Sequence, residues 1–280
     1  MKSICIKTNN SDVIKYLLDK LNSLELDNIC FSCLKFKIYT NVIIHYTGKN
    51  ILLFKEVISN ILSCLVIDIF EEAFINRIIS HDYFYFDQDD TKIITNNVLN
   101  SLEYNKEFNC IYKSFYNYLN SNNKIVLNGF LTFRLKDYVQ ILSERVDKYV
   151  NKFIIEREYT EFISLLRMYI NSESSQSDYV HLIYSNSSST LLNKDKEVIQ
   201  IDKTMFNAKY LSDITFSSND YTLNVLLSLL PKKIYIHLID DKIDEFITTL
   251  ILIFENRIDL CTECPICQIY KNKYSHNSEA

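Results

Sequence analysis

Glycine and proline are nearly absent from this chain, and tryptophan is absent altogether. Among its 280 residues only Gly48 and Gly129 are glycine, and only Pro231 and Pro265 are proline. A Walker-type phosphate loop, a dinucleotide-binding fingerprint and the nucleophile elbow of α/β-hydrolases each need closely spaced glycines. Two isolated glycines therefore exclude all three motifs. The abundance of residues with AT-rich codons indicates that part of the scarcity reflects a low-GC genome.

Long apolar runs and an excess of positive charge are also missing. The longest uncharged apolar stretch in the middle of the chain, Val57–Ile67, is too short to span a bilayer, which needs about 20 residues. Met1–Lys7 lacks the long apolar core of a signal peptide. A net charge of −5 at pH 7 argues against nucleic acid or an anionic membrane surface as the main partner. We therefore expect a cytoplasmic protein without a membrane span, whose partner is another protein.

Mixed helical and strand periodicity predicts an α+β fold. In a helix-rich N-terminal region, residues 1–125, we expect a small sheet with a strand at residues 2–7 and a hairpin around Thr40-Asn41. A C-terminal α/β region, residues 126–280, combines a long central helix, a small sheet and a cysteine-rich end. The length suits one large or two modest domains.

One uninterrupted helical pattern runs from Arg134 to Ile170. A straight helix of that length, about 56 Å, would overhang a compact body whose radius of gyration is about 19 Å. The apolar stripe reaches Phe153 and then meets Glu156, where the next apolar residue should stand. We therefore expect a bend or two helices, with the change near residues 151–157. The stripe resumes at Tyr159, Phe162, Leu166 and Tyr169.

The strongest chemical signal is the segment Cys261-Thr262-Glu263-Cys264-Pro265-Ile266-Cys267. Two overlapping Cys-x-x-Cys steps allow three thiolates to converge on one soft cation. Zinc fits this pattern better than an iron–sulfur cluster, because the ferredoxin pattern continues to a fourth cysteine followed by proline, which is absent here. The alternative is three reduced thiols without a metal.

His237 is the candidate fourth ligand. Two predicted strands, at residues 234–238 and 257–260, flank a predicted helix. We expect the helix to be a right-handed crossover between two parallel strands of one sheet. Their C-terminal ends then lie at the same edge of the sheet, which brings His237 next to Cys261. The sequence thus predicts a zinc site of three cysteines and one histidine. A half-buried structural histidine is the alternative interpretation, and His276 is a weaker competitor.

Five further cysteines stand apart from this motif. Eight cysteines in a cytoplasmic chain should be reduced rather than disulfide-bonded. Cys5, Cys64 and Cys110 lie alone in apolar surroundings, and we interpret them as small core residues. Cys30 and Cys33 form a lone Cys-x-x-Cys, which core packing explains best. This pair could also join the first two C-terminal cysteines in a four-thiolate site, or act as a redox pair.

The acidic segment Glu156–Glu161 is the other candidate for metal or acid–base chemistry. Glu158 and Glu161 lie one helical turn apart, as carboxylate pairs do in metal-binding bundles. No Glu-x-x-His companion is present, and Arg157 with Glu161 has the spacing of an ordinary helical ion pair. A solvated or ion-paired helix face is the simpler interpretation. Glu156 would need a partner if the apolar stripe buries it.

Four blocks of the sequence resemble the YtxC-like family. They are Phe133–Tyr138, Glu158–Arg167, Leu229–His237, and Arg257 with the three cysteines of the C-terminal motif. The blocks occur in the family's order, and the resemblance covers roughly residues 130–267. It implies a sporulation protein of endospore-forming Firmicutes. Sporulation is a cellular process, and the family has no established reaction. Many relatives carry a glycine between the first two cysteines, where this chain has Glu263.

These observations favour a sporulation-associated, non-enzymatic protein with a structural zinc site. The competing hypothesis is a metal-dependent enzyme, in which Glu158 or Glu156 acts as an acid or base beside an open coordination position. A third hypothesis, a nucleic-acid-binding zinc knuckle, would need a basic patch near the cysteines. Lys271 and Lys273 alone give it little support.

Overall fold

The computed structural model describes residues 2–24, 28–101, 104–199 and 217–275. Its helices and two small sheets confirm the predicted α+β class. The chain divides into two compact units, Met1–Ile155 (the N-terminal unit) and Glu156–Ala280 (the C-terminal unit). A domain boundary between residues 125 and 126 stays a prediction.

The N-terminal unit combines a four-stranded sheet with several helices. Its strands are β1 (Lys2–Thr8), β2 (Ile29–Lys35), β3 (Thr40–Tyr46) and β4 (Lys124–Val126). They lie in the order β2-β3-β1-β4, and β4 runs parallel to β1 while the other neighbours are antiparallel. Its helices are α1 (Ser11–Asn22), α2 (Ile51–Leu65), α3 (Glu71–Asp82), α4 (Gln88–Leu99), α5 (Tyr104–Ser121) and α6 (Leu127–Arg134), and a π-helical turn (Val66–Phe70) joins α2 to α3.

Alternating apolar residues build the core of this unit. Ile4 and Ile6 of β1 and Val42 and Ile44 of β3 are buried, because successive side chains of a strand point to opposite faces. They belong to one apolar cluster with Leu17 of α1 and with buried residues of the other helices. The expected strand is present as β1. The expected hairpin is present as well, but its turn lies at residues 36–39, because Thr40 and Asn41 belong to β3 and pair with β2.

Neither the helix starts nor the left-handed turn positions of the described residues use glycine. The side chain of Asn10 accepts hydrogen bonds at the start of α1, and those of Asn50 and Asp87 do so at the starts of α2 and α4. Left-handed backbone, which favours glycine, occurs instead at other residues. In the described ranges these are Asn28, Asn186, Ser187, Lys196, Leu230, Asp241 and Glu255.

The long helix α7 (Lys136–Ser172) is one continuous α-helix, so of the two expected alternatives, a bend or two helices, the second does not occur. Backbone hydrogen bonds continue through Glu156 because they do not depend on which face is apolar, and no proline interrupts them. Residues 155–162 are all exposed, so the apolar stripe does not bury Glu156. The residues of α7 that contact the apolar cluster of the C-terminal unit are Ile163, Leu166 and Ile170. Leu166 belongs to the expected stripe, but the other members, Tyr159, Phe162 and Tyr169, are exposed.

The C-terminal unit contains a second four-stranded sheet. Its strands are β5 (Tyr179–Ser185), β6 (Ser188–Leu192), β7 (Lys233–Leu238) and β8 (Ile258–Cys261), in the order β6-β5-β7-β8. Its further helices are α8 (Ser218–Leu229), α9 (Glu245–Phe254) and α10 (Pro265–Ser275), with a 3₁₀ turn (Glu255–Arg257) before β8. Strands β5, β7 and β8 are parallel and β6 is antiparallel to β5, which confirms the predicted parallel strand–helix–strand arrangement.

The two faces of this sheet differ in character. Ile234, Ile236 and Leu238 of β7 share an apolar cluster with buried residues of α9. Strand alternation puts His237 on the opposite face, where a smaller cluster includes Ile183 and Cys267. The second face is therefore where the predicted metal ligands can meet. No helix in the described ranges has both the length and the apolar character needed to cross a membrane.

Candidate metal centre

Four side chains of the C-terminal unit bring their ligand atoms together. They are His237, Cys261, Cys264 and Cys267, named here the Cys/His cluster, and the four atoms lie within 4.8 Å of one another. Nδ1 of His237 is 3.3 Å from Sγ of both Cys264 and Cys267. Sγ of Cys267 is 3.6 Å from that of Cys264 and 3.8 Å from that of Cys261.

These separations suit a single tetrahedral ion. Zn–S bonds of about 2.3 Å and Zn–N bonds of about 2.0–2.1 Å, at tetrahedral angles, separate two sulfurs by about 3.8 Å and a sulfur from a nitrogen by about 3.6 Å. The four separations given above agree with these values to within a few tenths of an ångström, and the other two are no longer than 4.8 Å. The cluster could therefore hold a metal ion.

The register of two parallel strands places half of the cluster. His237 on β7 is paired directly with Cys261 on β8, one residue before β7 ends and at the last residue of β8. Parallel neighbours end at the same edge of a sheet, so both side chains are delivered to one edge although they stand far apart in the sequence.

The start of α10 supplies the other two ligands. Pro265 is the first helical residue, a position that suits proline because its missing N–H is not needed there. The N–H of Gln268 donates to the carbonyl of Cys264, which closes the first turn. Cys264 and Cys267 thus stand one helical turn apart. Glu263 does not have left-handed backbone, so the turn does not require the glycine found in many relatives.

Burial keeps two of the four ligands uncharged when no cation is present. His237 and Cys267 are 3% and 0% exposed, whereas Cys261 and Cys264 are half-buried. Burial raises the pKa of the Cys267 thiol to about 12, and its contact with Cys264 adds to the shift. Burial, together with the neighbouring His181, lowers the pKa of His237 to about 4. At neutral pH the imidazole is therefore a neutral electron-pair donor, the form that binds metals.

Cys261 shows the opposite shift. Burial alone would raise the pKa of its thiol, but hydrogen bonds with the backbone of Glu263 and Cys264 and with the thiols of Cys264 and Cys267 outweigh it and lower the pKa. Backbone N–H groups around a sulfur stabilise the thiolate, and the thiolate is the metal-binding form of cysteine. The hydrogen bonds of this turn therefore favour the negatively charged form of Cys261, which attracts a cation.

Sequence reasoning missed one residue beside the cluster. His181 on β5 places its Nδ1 3.0 Å from Nε2 of His237. Burial lowers the pKa of His181, and the charge of Lys196 lowers it further. A lone histidine 56 residues before His237 carries no motif. The only available signal was its place on a strand parallel to β7.

The Cys-x-x-Cys pair of the N-terminal unit does not match its expected roles. Cys30 and Cys33 are both exposed on the edge strand β2, so the core interpretation is wrong. Three residues of strand span about 10 Å, beyond the roughly 7 Å limit between the Cα atoms of a disulfide, and the two side chains point to opposite faces. The Cys/His cluster of the described residues contains neither thiol. Cys64 and Cys110 are partly buried, and burial raises the pKa of each.

The acidic segment of α7 lies on an exposed stretch of helix. Arg157 and Glu161 form the expected ion pair, with Nε 3.0 Å from Oε1. Glu156 and Glu158 are both exposed. The Cys/His cluster found among the described residues includes no carboxylate. The exposure of this segment favours the solvated interpretation over acid–base chemistry.

Two weaker candidates fall partly outside the described residues. His276 lies outside them, as does the side chain of Lys273. Nζ of Lys271 lies 3.2 Å from a carboxylate oxygen of Asp241. A basic patch beside the cysteines thus has no support from Lys271, whose charge is paired.

Comparison with known proteins identifies a family. The YtxC-like family matches residues 56–259 of this chain. The matched stretch begins well before the first block quoted above and includes His237, but it ends just before Cys261. No curated protein and no solved structure matches the chain. The metal-binding role of the three cysteines therefore has to be judged from the geometry of the chain itself.

Proposed function

The chain belongs to the YtxC-like family, and on that premise we propose that it is a cytoplasmic, non-enzymatic sporulation protein with a structural zinc ion in its C-terminal unit. The zinc ligands are the four residues of the Cys/His cluster. Sporulation is what the family resemblance implies, whereas zinc is supported by the convergence of four ligand atoms within 4.8 Å of one another.

The donor set supports zinc over an iron–sulfur cluster. Three thiols and one imidazole are a common ligand set of structural zinc. An iron–sulfur cluster arranges its protein ligands around several iron atoms. Ligand atoms as close together as those of Cys264 and Cys267, at 3.6 Å, suit one shared ion instead.

The number of ligands supports a structural role over a catalytic one. Catalytic zinc sites keep three protein ligands and leave the fourth position to water or substrate, whereas structural sites are closed by four protein ligands. The Cys/His cluster supplies four, and His237 and Cys267 are buried. A metal held in this way has no position left for the open-site chemistry that an acidic residue would assist.

Bound zinc would contribute a large share of the stability of the C-terminal unit. Zinc binding at structural sites contributes about 10–16 kcal/mol, whereas whole domains are stable by only about 5–15 kcal/mol. The ion would connect β7, β8 and α10 in addition to the four-residue strand pairing, the Lys233–Asp259 ion pair and a small apolar cluster. We infer that zinc holds the C-terminal end of the chain against the sheet.

Metal analysis of the purified full chain tests this proposal. After purification under reducing conditions with Zn(II) present and removal of excess metal, we expect one zinc per wild-type chain and little iron or sulfide. Cys264→Ser should lose the zinc and lower the melting temperature. Cys33→Ser, which changes an exposed cysteine on β2, is the matched control and should keep both. The proposal fails if the wild type holds no stoichiometric zinc, or if Cys264→Ser binds zinc and melts as the wild type does.

A further inference from the structure

We propose that His181 positions His237 for metal binding, by accepting the hydrogen bond that holds the proton of His237 on Nε2. This inference rests on the metal site proposed above and adds to it a residue that contacts one of the proposed ligands. His181 does not touch the metal itself. Its role is to select which nitrogen of His237 carries the proton and which faces the cysteines.

The sheet brings the two imidazoles together. His181 on β5 is in register with Tyr235 on the parallel strand β7, so His237 lies two residues further along β7 on the same face. Nδ1 of His181 is 3.0 Å from Nε2 of His237, and the ring centroids are 5.2 Å apart. This distance is that of a hydrogen bond between ring nitrogens.

The position of the proton between the two rings follows from the position of the sulfurs. Nδ1 of His237 is the nitrogen that faces Cys264 and Cys267, at 3.3 Å from each sulfur. A metal among these atoms needs the lone pair of Nδ1, so the single proton of the neutral imidazole must be on Nε2. A buried N–H without an acceptor is costly, and Nδ1 of His181 is the acceptor in place. His181 then carries its own proton on Nε2.

Aromatic neighbours hold the His181 ring in this orientation. The ring of Tyr235 stacks on it with centroids 5.4 Å apart and an interplanar angle of 29°. Tyr179 contacts it edge-on at 5.7 Å. These contacts fix the plane of the imidazole, and within that plane Nδ1 of His181 is the nitrogen that faces His237. Metal-bound histidines commonly have such an outer partner, and its loss typically weakens metal binding about 10- to 100-fold.

The tautomer of His237 in the zinc-loaded wild type can be tested without any substitution. Nitrogen-15 NMR of the ring nitrogens should show zinc on Nδ1 and the proton on Nε2 of His237, with the proton on Nε2 of His181. Zinc on Nε2 of His237 would overturn the inference while leaving the metal site intact. A wild type that binds no zinc would instead overturn the proposed function, so the two failures are distinguishable.

Two substitutions of His181 separate hydrogen bonding from packing. His181→Leu removes the acceptor, and we expect its zinc affinity, measured against a chromophoric chelator, to fall about 10- to 100-fold. His181→Gln supplies an amide oxygen as acceptor and should recover most of that loss. Tyr235→Phe is the control, because it keeps the ring that stacks on His181 and should bind zinc as the wild type does.

The same measurements contain the results that would reject this role. Equal zinc affinity in His181→Leu and the wild type would reject it, and so would equal losses in His181→Leu and His181→Gln with an unchanged His237 tautomer. If His181→Leu does not fold, the ring-nitrogen spectrum of the wild type and the affinity of His181→Gln still decide the question.

Discussion

Each of the two units buries a cluster of ionisable side chains, but only one of these clusters contains a cation of its own. In the N-terminal unit the guanidinium of Arg145 lies between Glu71 and Glu107, and all three residues are buried. Nη1 of Arg145 is 2.8 Å from Oε2 of Glu107, and Nη2 contacts Glu71. The cation and its anions are all supplied by the chain.

The Cys/His cluster of the C-terminal unit contains no cation of its own. Its members are three thiols and an imidazole, all of them electron-pair donors. Without a metal, burial leaves the Cys267 thiol protonated, since its pKa rises to about 12, and leaves His237 neutral, since its pKa falls to about 4. If the proposed zinc site is correct, the C-terminal unit depends on a bound ion, whereas the buried ion pairs of the N-terminal unit are formed by side chains alone.

Metal removal should give the largest difference between the two units. Treating the zinc-loaded chain with a strong chelator at neutral pH should abolish slow amide exchange in β7, β8 and α10, because about 10–16 kcal/mol of metal binding is lost. Exchange in β1 and β3 of the N-terminal unit should not change. Hydrogen exchange followed by mass spectrometry of peptides measures both, and added Zn(II) should restore the protection. Equal loss of protection in both units would show that the comparison is wrong.

Removal of the buried cation should reverse the pattern. Arg145→Met removes the guanidinium that lies between the buried Glu71 and Glu107, which should cost about 3–5 kcal/mol in the free energy of unfolding of the N-terminal unit. Arg157→Met is the control, because it breaks the exposed pair with Glu161, which is worth about 0–1 kcal/mol. Urea unfolding of the zinc-loaded proteins gives both values. Equal losses of stability in the two variants would show that the buried ion pairs of Arg145 contribute no more than the exposed pair.

Zinc content should be unaffected by the change at position 145. Arg145 belongs to the N-terminal unit and the Cys/His cluster to the C-terminal unit. One zinc per chain in Arg145→Met would therefore show that the two clusters stabilise their units separately. A loss of zinc in a variant that remains folded would contradict that separation.

Acidification should weaken metal binding by the Cys/His cluster, with a smaller effect than the changes above. Because the pKa of Cys267 is about 12 without metal, zinc binding must displace its proton. Each displaced proton weakens zinc affinity about tenfold for every unit by which the pH is lowered. Competition titrations at several pH values measure this slope. A zinc affinity that does not change with pH would mean that Cys267 is not a thiolate ligand.

Helix caps should give the smallest effects, and they should be alike in the two units. Asn10 caps α1 in the N-terminal unit, and Ser217 forms a capping box with Asp220 at α8 in the C-terminal unit. Asn10→Ala and Ser217→Ala should each cost about 1 kcal/mol, because each leaves backbone N–H groups without their acceptor. Thermal or urea unfolding of the zinc-loaded protein measures the loss. If Ser217→Ala lost much more stability than Asn10→Ala, the C-terminal unit would be more sensitive than the N-terminal unit to the loss of a helix cap even with zinc bound.

Much of the metal centre could be anticipated because its information is local. The cysteine spacing is readable in seven residues, and the strand–helix–strand order needs only the rule that parallel strands end at one edge. These two observations were enough to bring His237 next to Cys261, and the register of β7 and β8 confirms that proximity. Metal identity remains a proposal.

The errors arose where a local pattern was read without its surroundings. Glu156 interrupts an apolar stripe, and that interruption led to the expectation of a bend or two helices. The structure has one helix there, and every side chain of residues 155–162 is exposed. Cys30 and Cys33 were expected in the core and instead lie on an edge strand. Exposure depends on what packs against an element, and periodicity within the element does not contain that information.

The amino-acid sequence by itself determined the α+β class, the family and the set of three cysteines and one histidine. It did so because apolar periodicity, motif blocks and ligand spacing are properties of neighbouring residues. Only the tertiary structure decided which distant groups meet. His181 reaches His237 through strand pairing, and Arg145 reaches Glu71 and Glu107 through the packing of separate helices. Such encounters depend on how whole elements pack, which no short stretch of sequence encodes.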